Sequence, residues 1–260
     1  MTQSIVVGGL GAAVAVEFPA SARGPAADAE LAARAMAGWS RGRLPQDHPV
    51  TTTLRARLGP ASSGTIGGQT VREVLTTLTQ EVTRALIQAR AGDLLMFHAG
   101  AVAHTNGQTI AYVAPGGMGK TTLTRTLGRH FGYVTDETVG VDGAGRVLPY
   151  PKPLSVLPAT GQKEEMSPDA LDLRVPPADL TLAKLVLLRR EPAAGASRVE
   201  RLSTLDAISA MAGDTSSLPR YPRPLHSLAD LLRRTGGAER WTYSEHTQLV
   251  PLVRAALGAS

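Results

Sequence analysis

Apolar residues recur at helical spacing early in the chain, where Val71, Val74, Leu75, Leu78, Val82 and Leu86 fall on one face. Thr70 with Glu73 three residues on makes a capping box, and Gly92 stands where a helix stops. The chain before this helix reads differently. Residues 1–65 are rich in Gly, Ala and Pro, with strand-like runs at 5–7 and 13–18 around a glycine turn and a polar stretch over 41–53. They form an amino-terminal β-rich elaboration in which no chemistry is legible.

After the helix the apolar runs shorten to strand length. Leu94-Leu95-Met96-Phe97-His98 and the run over 99–104 lead to Asn106-Gly107 and then to Thr109-Ile110-Ala111-Tyr112-Val113. Asn-Gly between two apolar runs predicts a hairpin. Val113 enters a glycine-rich segment, residues 123–131 have a helical pattern ending at Gly132, and Tyr133-Val134-Thr135 reads as a buried strand followed by Asp136-Glu137. Gly143 to Gly145 turns the chain into Arg146-Val147-Leu148, and Pro149, Pro151 and Pro153 stiffen a connector that carries Lys152. Further strands are predicted over 180–188 and 241–243, and helices over 204–211, 225–233 and 244–257. This alternation predicts an α/β domain over 66–260.

Composition narrows the chemistry. The chain has 260 residues and no cysteine, which removes disulfides, thiolate catalysis and cysteine-ligated zinc and suits a cytoplasmic setting. No apolar run reaches the roughly 18 residues of a membrane span, and residues 5–16 lack the basic flank of an export signal. The formal charge of +5 would suit an anionic partner. The arginines are scattered, however, and aromatic residues are too few for base-stacking platforms, so nucleic acid is not the expected partner. Of 27 basic residues only Lys120, Lys152, Lys163 and Lys184 are lysines. His48, His104, His130, His226 and His246 show no ligand spacing, so no protein-built metal site is expected.

One of those lysines lies in Ala114-Pro115-Gly116-Gly117-Met118-Gly119-Lys120-Thr121-Thr122, which fits the Walker A pattern at every position except the first, where Ala114 replaces Gly. Glycines let backbone N–H groups wrap a phosphate, and a helix starting at the loop's end adds its positive pole. Lys120 can act on the β- and γ-phosphates as a point charge and the Thr121 hydroxyl suits Mg²⁺. Nucleotide binding is therefore expected from Gly116, Gly117, Met118, Gly119, Lys120, Thr121 and Thr122. Asp136 and Glu137, at the end of the next strand, which is the expected neighbour of the loop strand in such a sheet, occupy the place of a Walker-B-like carboxylate pair. His98 ends a short apolar run, a setting shared by core histidines and catalytic ones. Lys152, between two prolines, is a candidate contact for a phosphate or a substrate carboxylate, against the plain reading of a solvated connector lysine.

Phe97-His98-Ala99-Gly100-Ala101-Val102, the Gly116 to Thr122 motif and Tyr133-Val134-Thr135-Asp136-Glu137-Thr138-Val139 together resemble the catalytic core of the HPr kinase/phosphorylase family, in order and spacing, over about residues 94–142. The likeness is nearest to the short HPr-kinase-like proteins found beside peptide-modifying enzymes, including kinases of lasso-peptide precursors. The resemblance implies a P-loop kinase domain of the type shared with phosphoenolpyruvate carboxykinases, a mixed sheet with flanking helices. It also implies ATP and Mg²⁺ as cofactors and transfer of the γ-phosphoryl group to a hydroxyl acceptor, a serine of a peptide or protein or a small molecule. In it Asp136 matches the base toward the acceptor hydroxyl, Glu137 its acidic neighbour, which with Thr121 would hold the metal, and His98 the strand histidine near the transferred group. Glu137 stands where the family usually has Asp. The later Glu-Ile-Arg-Gly signature has no counterpart, since Lys163-Glu164-Glu165-Met166 lacks that context, and residues 1–90 do not match the family's amino-terminal domain. HPr itself is therefore not the expected substrate. The rival reading is a nucleotide-binding switch or assembly factor without kinase turnover.

Overall fold

The computed structural model describes residues 2–115, 119–158, 161–193 and 195–258. The chain forms two compact units, the first from residues 1–90 and 150–171 and the second from 91–149 and 172–260. Strands and helices are numbered in chain order.

The first unit holds β1 (Gln3–Gly9), β2 (Ala12–Phe18), α1 (Pro25–Gly38), β3 (Arg43–Leu44), β4 (Thr52–Leu58), β5 (Ile66–Gly68) and α2 (Val71–Ala89). Its mixed sheet runs β3-β1-β2-β4-β5. Leu10 and Gly11, both at positive φ, close the β1–β2 hairpin in the turn that suits twisted strands. α2 buries Val74, Leu75, Leu78, Val82 and Leu86, the apolar face expected from its spacing. At its start the Thr70 hydroxyl accepts from the Glu73 N–H at 3.2 Å, while the Glu73 carboxylate accepts from the N–H of Gln69 at 2.8 Å. The stretch 1–65 also contains the 14-residue α1. That helix rests largely on alanine, burying Leu31, Ala32 and Ala35, and so carries almost no apolar stripe in the sequence. Residues 150–171 return to this unit with β12 (Leu154–Val156) and β13 (Glu164–Met166), and the hydroxyls of Tyr150 and Thr83 hydrogen-bond at 2.8 Å.

The second unit holds β6 (Leu95–Phe97), β7 (Ala99–Ala103), β8 (Gln108–Val113), α3 (Lys120–Gly128), β9 (Gly132–Thr135), β10 (Val139–Val141), β11 (Val147–Leu148), β14 (Thr181–Arg190), β15 (Arg198–Arg201), α4 (Thr204–Met211), β16 (Thr215–Ser216), α5 (Pro224–Arg234), β17 (Ala238–Tyr243) and α6 (Leu249–Ala256). Its main sheet has the order β15-β17-β14-β8-β7-β9, with β17, β14 and β8 parallel and the rest antiparallel. A four-stranded sheet, β11-β10-β6-β16, accompanies it. The fold is thus mixed α/β.

Residues alternate between the two faces of the main sheet. Ala111, Val113, Leu185 and Leu187 join α4 and α5 in one core, and Ile110, Tyr112, Val186 and Leu188 join α3 and α6 in the other. The β7–β8 hairpin forms where Asn106-Gly107 predicts it, with Gly107 at φ 86. The helix expected over 244–257 begins later, as α6 at Leu249. The Gln248 side chain accepts from the N–H groups of Ser244 and Glu245, which diverts the chain into a short turn first. Among the described residues no helix is long and apolar enough to cross a membrane.

Candidate active site

Strand direction gathers the sequence-predicted polar residues of the second unit. β8 points its carboxyl end at Ala114; β7 runs the other way and begins beside it, with Ala99 opposite Val113; β9 ends near the same edge, with Thr135 opposite Ala101. His98, Ala114, Lys120, Thr121 and Asp136 therefore come to one edge of the sheet. Gly116, Gly117 and Met118 lie outside the described residues.

Gly119 has φ 83, in the left-handed region that favours glycine, and directly precedes α3. The side-chain ammonium of Lys120 donates back to the Ala114 carbonyl, across the segment between them. The Thr121 hydroxyl donates to Asp136 Oδ2 at 2.9 Å, and the Tyr133 hydroxyl reaches Asp136 Oδ1 at 3.3 Å. Asp136 is thus held from two elements and is only 5% exposed. Beneath the helix start, Thr124 Oγ1 donates to the Lys120 carbonyl at 2.9 Å and meets the Tyr112 hydroxyl at 2.7 Å. This fixes the first turn of α3 on β8.

Glu137 is half-buried, its backbone clamped on both sides: the N–H donates to Thr135 Oγ1 at 3.3 Å and the carbonyl accepts from Ala99 at 3.1 Å. His98 sits at the break between β6 and β7, its N–H donating to the Asp214 carbonyl at 2.6 Å. Asp214 is a residue that sequence reasoning passed over. It lies in a helical turn after α4, far along the chain and in no motif, and β16 brings it in by pairing Thr215 with Phe97.

Burial pushes the Lys120 ammonium below the usual lysine range, and the charges of Asp214, Asp136 and Glu137 pull in the opposite direction. One half-buried cation therefore faces three carboxylates. His246 closes another side: a side-chain carbon at Gly119 would lie 3.3 Å from its Nε2. Burial, with Arg190 nearby, lowers the pKa of this histidine, Glu245 opposing. Thr122 is exposed on the outer face of α3. Lys152 belongs to the first unit, where it is 4% exposed and donates to the Pro153 carbonyl at 2.9 Å.

The donors fit a magnesium nucleotide. Hydroxyl and carboxylate oxygens are the hard ligands that Mg²⁺ takes, and Thr121 can donate its proton to Asp136 while its lone pairs remain free for a metal. Among the described residues no group of three or more His, Asp or Glu is arranged to hold a metal alone.

No family model matches the chain, and no curated protein matches it. Among solved structures it is similar to the HPr(Ser) kinase/phosphatase from Coxiella burnetii, at 12% identity over 63% of this chain and 93% of that one, with a TM-score of 0.29. A superposition that loose carries no argument about chemistry.

Proposed function

We propose that the second unit transfers the γ-phosphoryl group of ATP to a hydroxyl acceptor, a serine of a peptide or protein or a small molecule. The observation that carries this reading is the hydrogen bond from Thr121, directly after the lysine, to Asp136 at the end of β9. It joins a phosphate-binding sequence to a buried carboxylate. The sequence resemblance to the HPr kinase/phosphorylase core over residues 94–142 supports the same reading.

In the proposed reaction the acceptor oxygen attacks the γ-phosphorus, the bond to the β-bridging oxygen breaks, and ADP leaves with that electron pair. The acceptor's proton passes to a carboxylate of the Asp136-Glu137 pair, with Asp136 the expected base. Lys120 and the N–H groups at the start of α3 offset the charge on the phosphate oxygens. Thr121 and Glu137 would hold Mg²⁺, which when bound draws charge from the β- and γ-oxygens. His98, at the break between β6 and β7, would be the group that orients the hydroxyl. Such a reaction depends chiefly on positioning and charge neutralisation.

The test is purified protein with γ-labelled ATP, Mg²⁺ and a panel of serine-containing peptides and small alcohols. Label on an acceptor is the expected result. Tight nucleotide binding with label appearing only as free phosphate, or nowhere, would give the reading to a nucleotide-dependent switch instead.

A further inference from the structure

The opposite end of α3 and β9 holds a cavity of about 550 Å³ that the proposed reaction does not use. Its polar walls come from four separate places: His104 after β7, His130 after α3, Arg174 in the segment before β14, and Arg254 on α6. Phe131 and Val175 supply apolar wall. Among the described residues the lining contains no carboxylate.

The walls are built. The Arg174 backbone N–H donates to the Gly128 carbonyl at 2.8 Å, and its carbonyl accepts from Tyr133 at 2.9 Å, so this arginine is pinned between the last turn of α3 and the first residues of β9. Pro176 packs so closely on Gly132 that a side-chain carbon there would lie 2.5 Å from its Cα. His104 Nδ1 is shut off from solvent without a hydrogen-bond partner among the described residues, a cost that folded proteins seldom leave unexplained. Val175, 72% exposed, is an apolar side chain in the lining that also holds Arg174 and Arg254.

We propose that this cavity is a second ligand site, for a small molecule that joins an oxyanion, phosphate or carboxylate, to an apolar group. Guanidinium forks match planar and tetrahedral oxyanions, and the absence of acidic lining disfavours a metal or a cationic ligand. Phe131 and Val175 would cover the apolar part. The volume lies within the usual range for small-molecule sites. The nine residues of α3 separate the cavity from Lys120, a distance of roughly 13 Å at 1.5 Å per residue, so phosphate groups held at Lys120 would not also fill it.

Calorimetric titration of the full-length protein with phenyl phosphate, benzoate and inorganic phosphate tests this. The expected result is binding of phenyl phosphate or benzoate with a Kd of about 1 mM or tighter, weakened at least about tenfold by the double variant Arg174→Gln/Arg254→Gln. Both side chains are exposed, so the variant should fold, which its melting curve checks. Which of the two aromatic probes binds better identifies the oxyanion, and inorganic phosphate binding more weakly than phenyl phosphate would support the apolar wall. Lys120→Ala should leave this binding unchanged. Failure of both aromatic probes to bind, binding that survives the double arginine variant, or binding lost in Lys120→Ala would each overturn the proposal. The outcome is independent of whether the second unit proves to be a kinase.

Discussion

The two ends of α3 differ in the sign of what surrounds them. At its amino end Lys120 feels the charges of Asp136, Glu137 and Asp214; at its carboxyl end His130 joins His104, Arg174 and Arg254, with no carboxylate in the wall among the described residues. Each end suits a different kind of anion. Carboxylates beside the lysine proposed to bind phosphate would repel a bare polyphosphate, which is why the proposed reaction places a divalent cation between them. A wall with two guanidinium groups fits an anion that brings no metal. The two ends share one helix and one strand, so the contrast lies in which side chains the neighbouring elements supply.

The largest expected effect comes from removing the Lys120 ammonium at the amino end. Lys120→Ala should weaken ATP binding by about a hundredfold or more, measured by calorimetry in Mg²⁺. Asp136→Asn should keep ATP binding within a few-fold while phosphoryl transfer falls by about a hundredfold or more. Glu137→Gln should chiefly raise the Mg²⁺ concentration needed for half-maximal activity. If Glu137→Gln loses transfer and Asp136→Asn only changes the Mg²⁺ requirement, the two roles are exchanged.

The pH dependence sharpens the contrast further. Because burial depresses the Lys120 pKa, the ammonium proposed to bind phosphate is lost as pH rises through a value below the ordinary 10.5. ATP affinity of the free protein should therefore fall on an alkaline limb beneath that value. Over the same window the unfolded chain holds the proton that the folded chain has released, so this group's contribution to stability rises with pH. Weaker binding there should thus appear without a lower melting temperature from this source. Asp214→Asn removes a charge that favours the ammonium, so the limb should move to still lower pH. An unmoved limb would mean that Asp214 does not act on Lys120.

The smallest effect concerns the scaffold. Tyr112→Phe deletes the hydroxyl that meets Thr124 in the buried core under α3, and should cost about 1 kcal/mol in urea unfolding. Thr124 keeps its bond to the Lys120 carbonyl, so ATP affinity should change little.

Much of the second unit was legible in the sequence because its signals are local. Asn106-Gly107 fixes a hairpin and strand-length apolar runs mark β8 and β9, but β9 is not the loop strand's neighbour as expected, since β7, the partner of β8 in that hairpin, stands between them, and Thr121 reaches Asp136 all the same. The first unit gave less. Alanine-rich α1 lacks an apolar stripe, and the return of residues 150–171 to this unit rests on contacts such as Thr83 with Tyr150 that no local pattern announces. Asp214 was missed for the same reason. It reaches the site through a two-residue strand paired with β6, and neither its neighbours nor its spacing mark it. The cavity lined by Arg174 and Arg254 likewise unites residues from separate parts of the chain, and only the fold assembles it.

The central claim is that the Thr121–Asp136 edge performs phosphoryl transfer, and one paired measurement tests it most directly. ATP binding by calorimetry and transfer of label from γ-labelled ATP to a serine peptide or alcohol panel would be measured on the native protein and on Asp136→Asn. The account predicts similar ATP binding by both and labelled acceptor from the native protein alone. Labelled acceptor at the native rate from Asp136→Asn, or no labelled acceptor from a native protein that binds ATP, would contradict it.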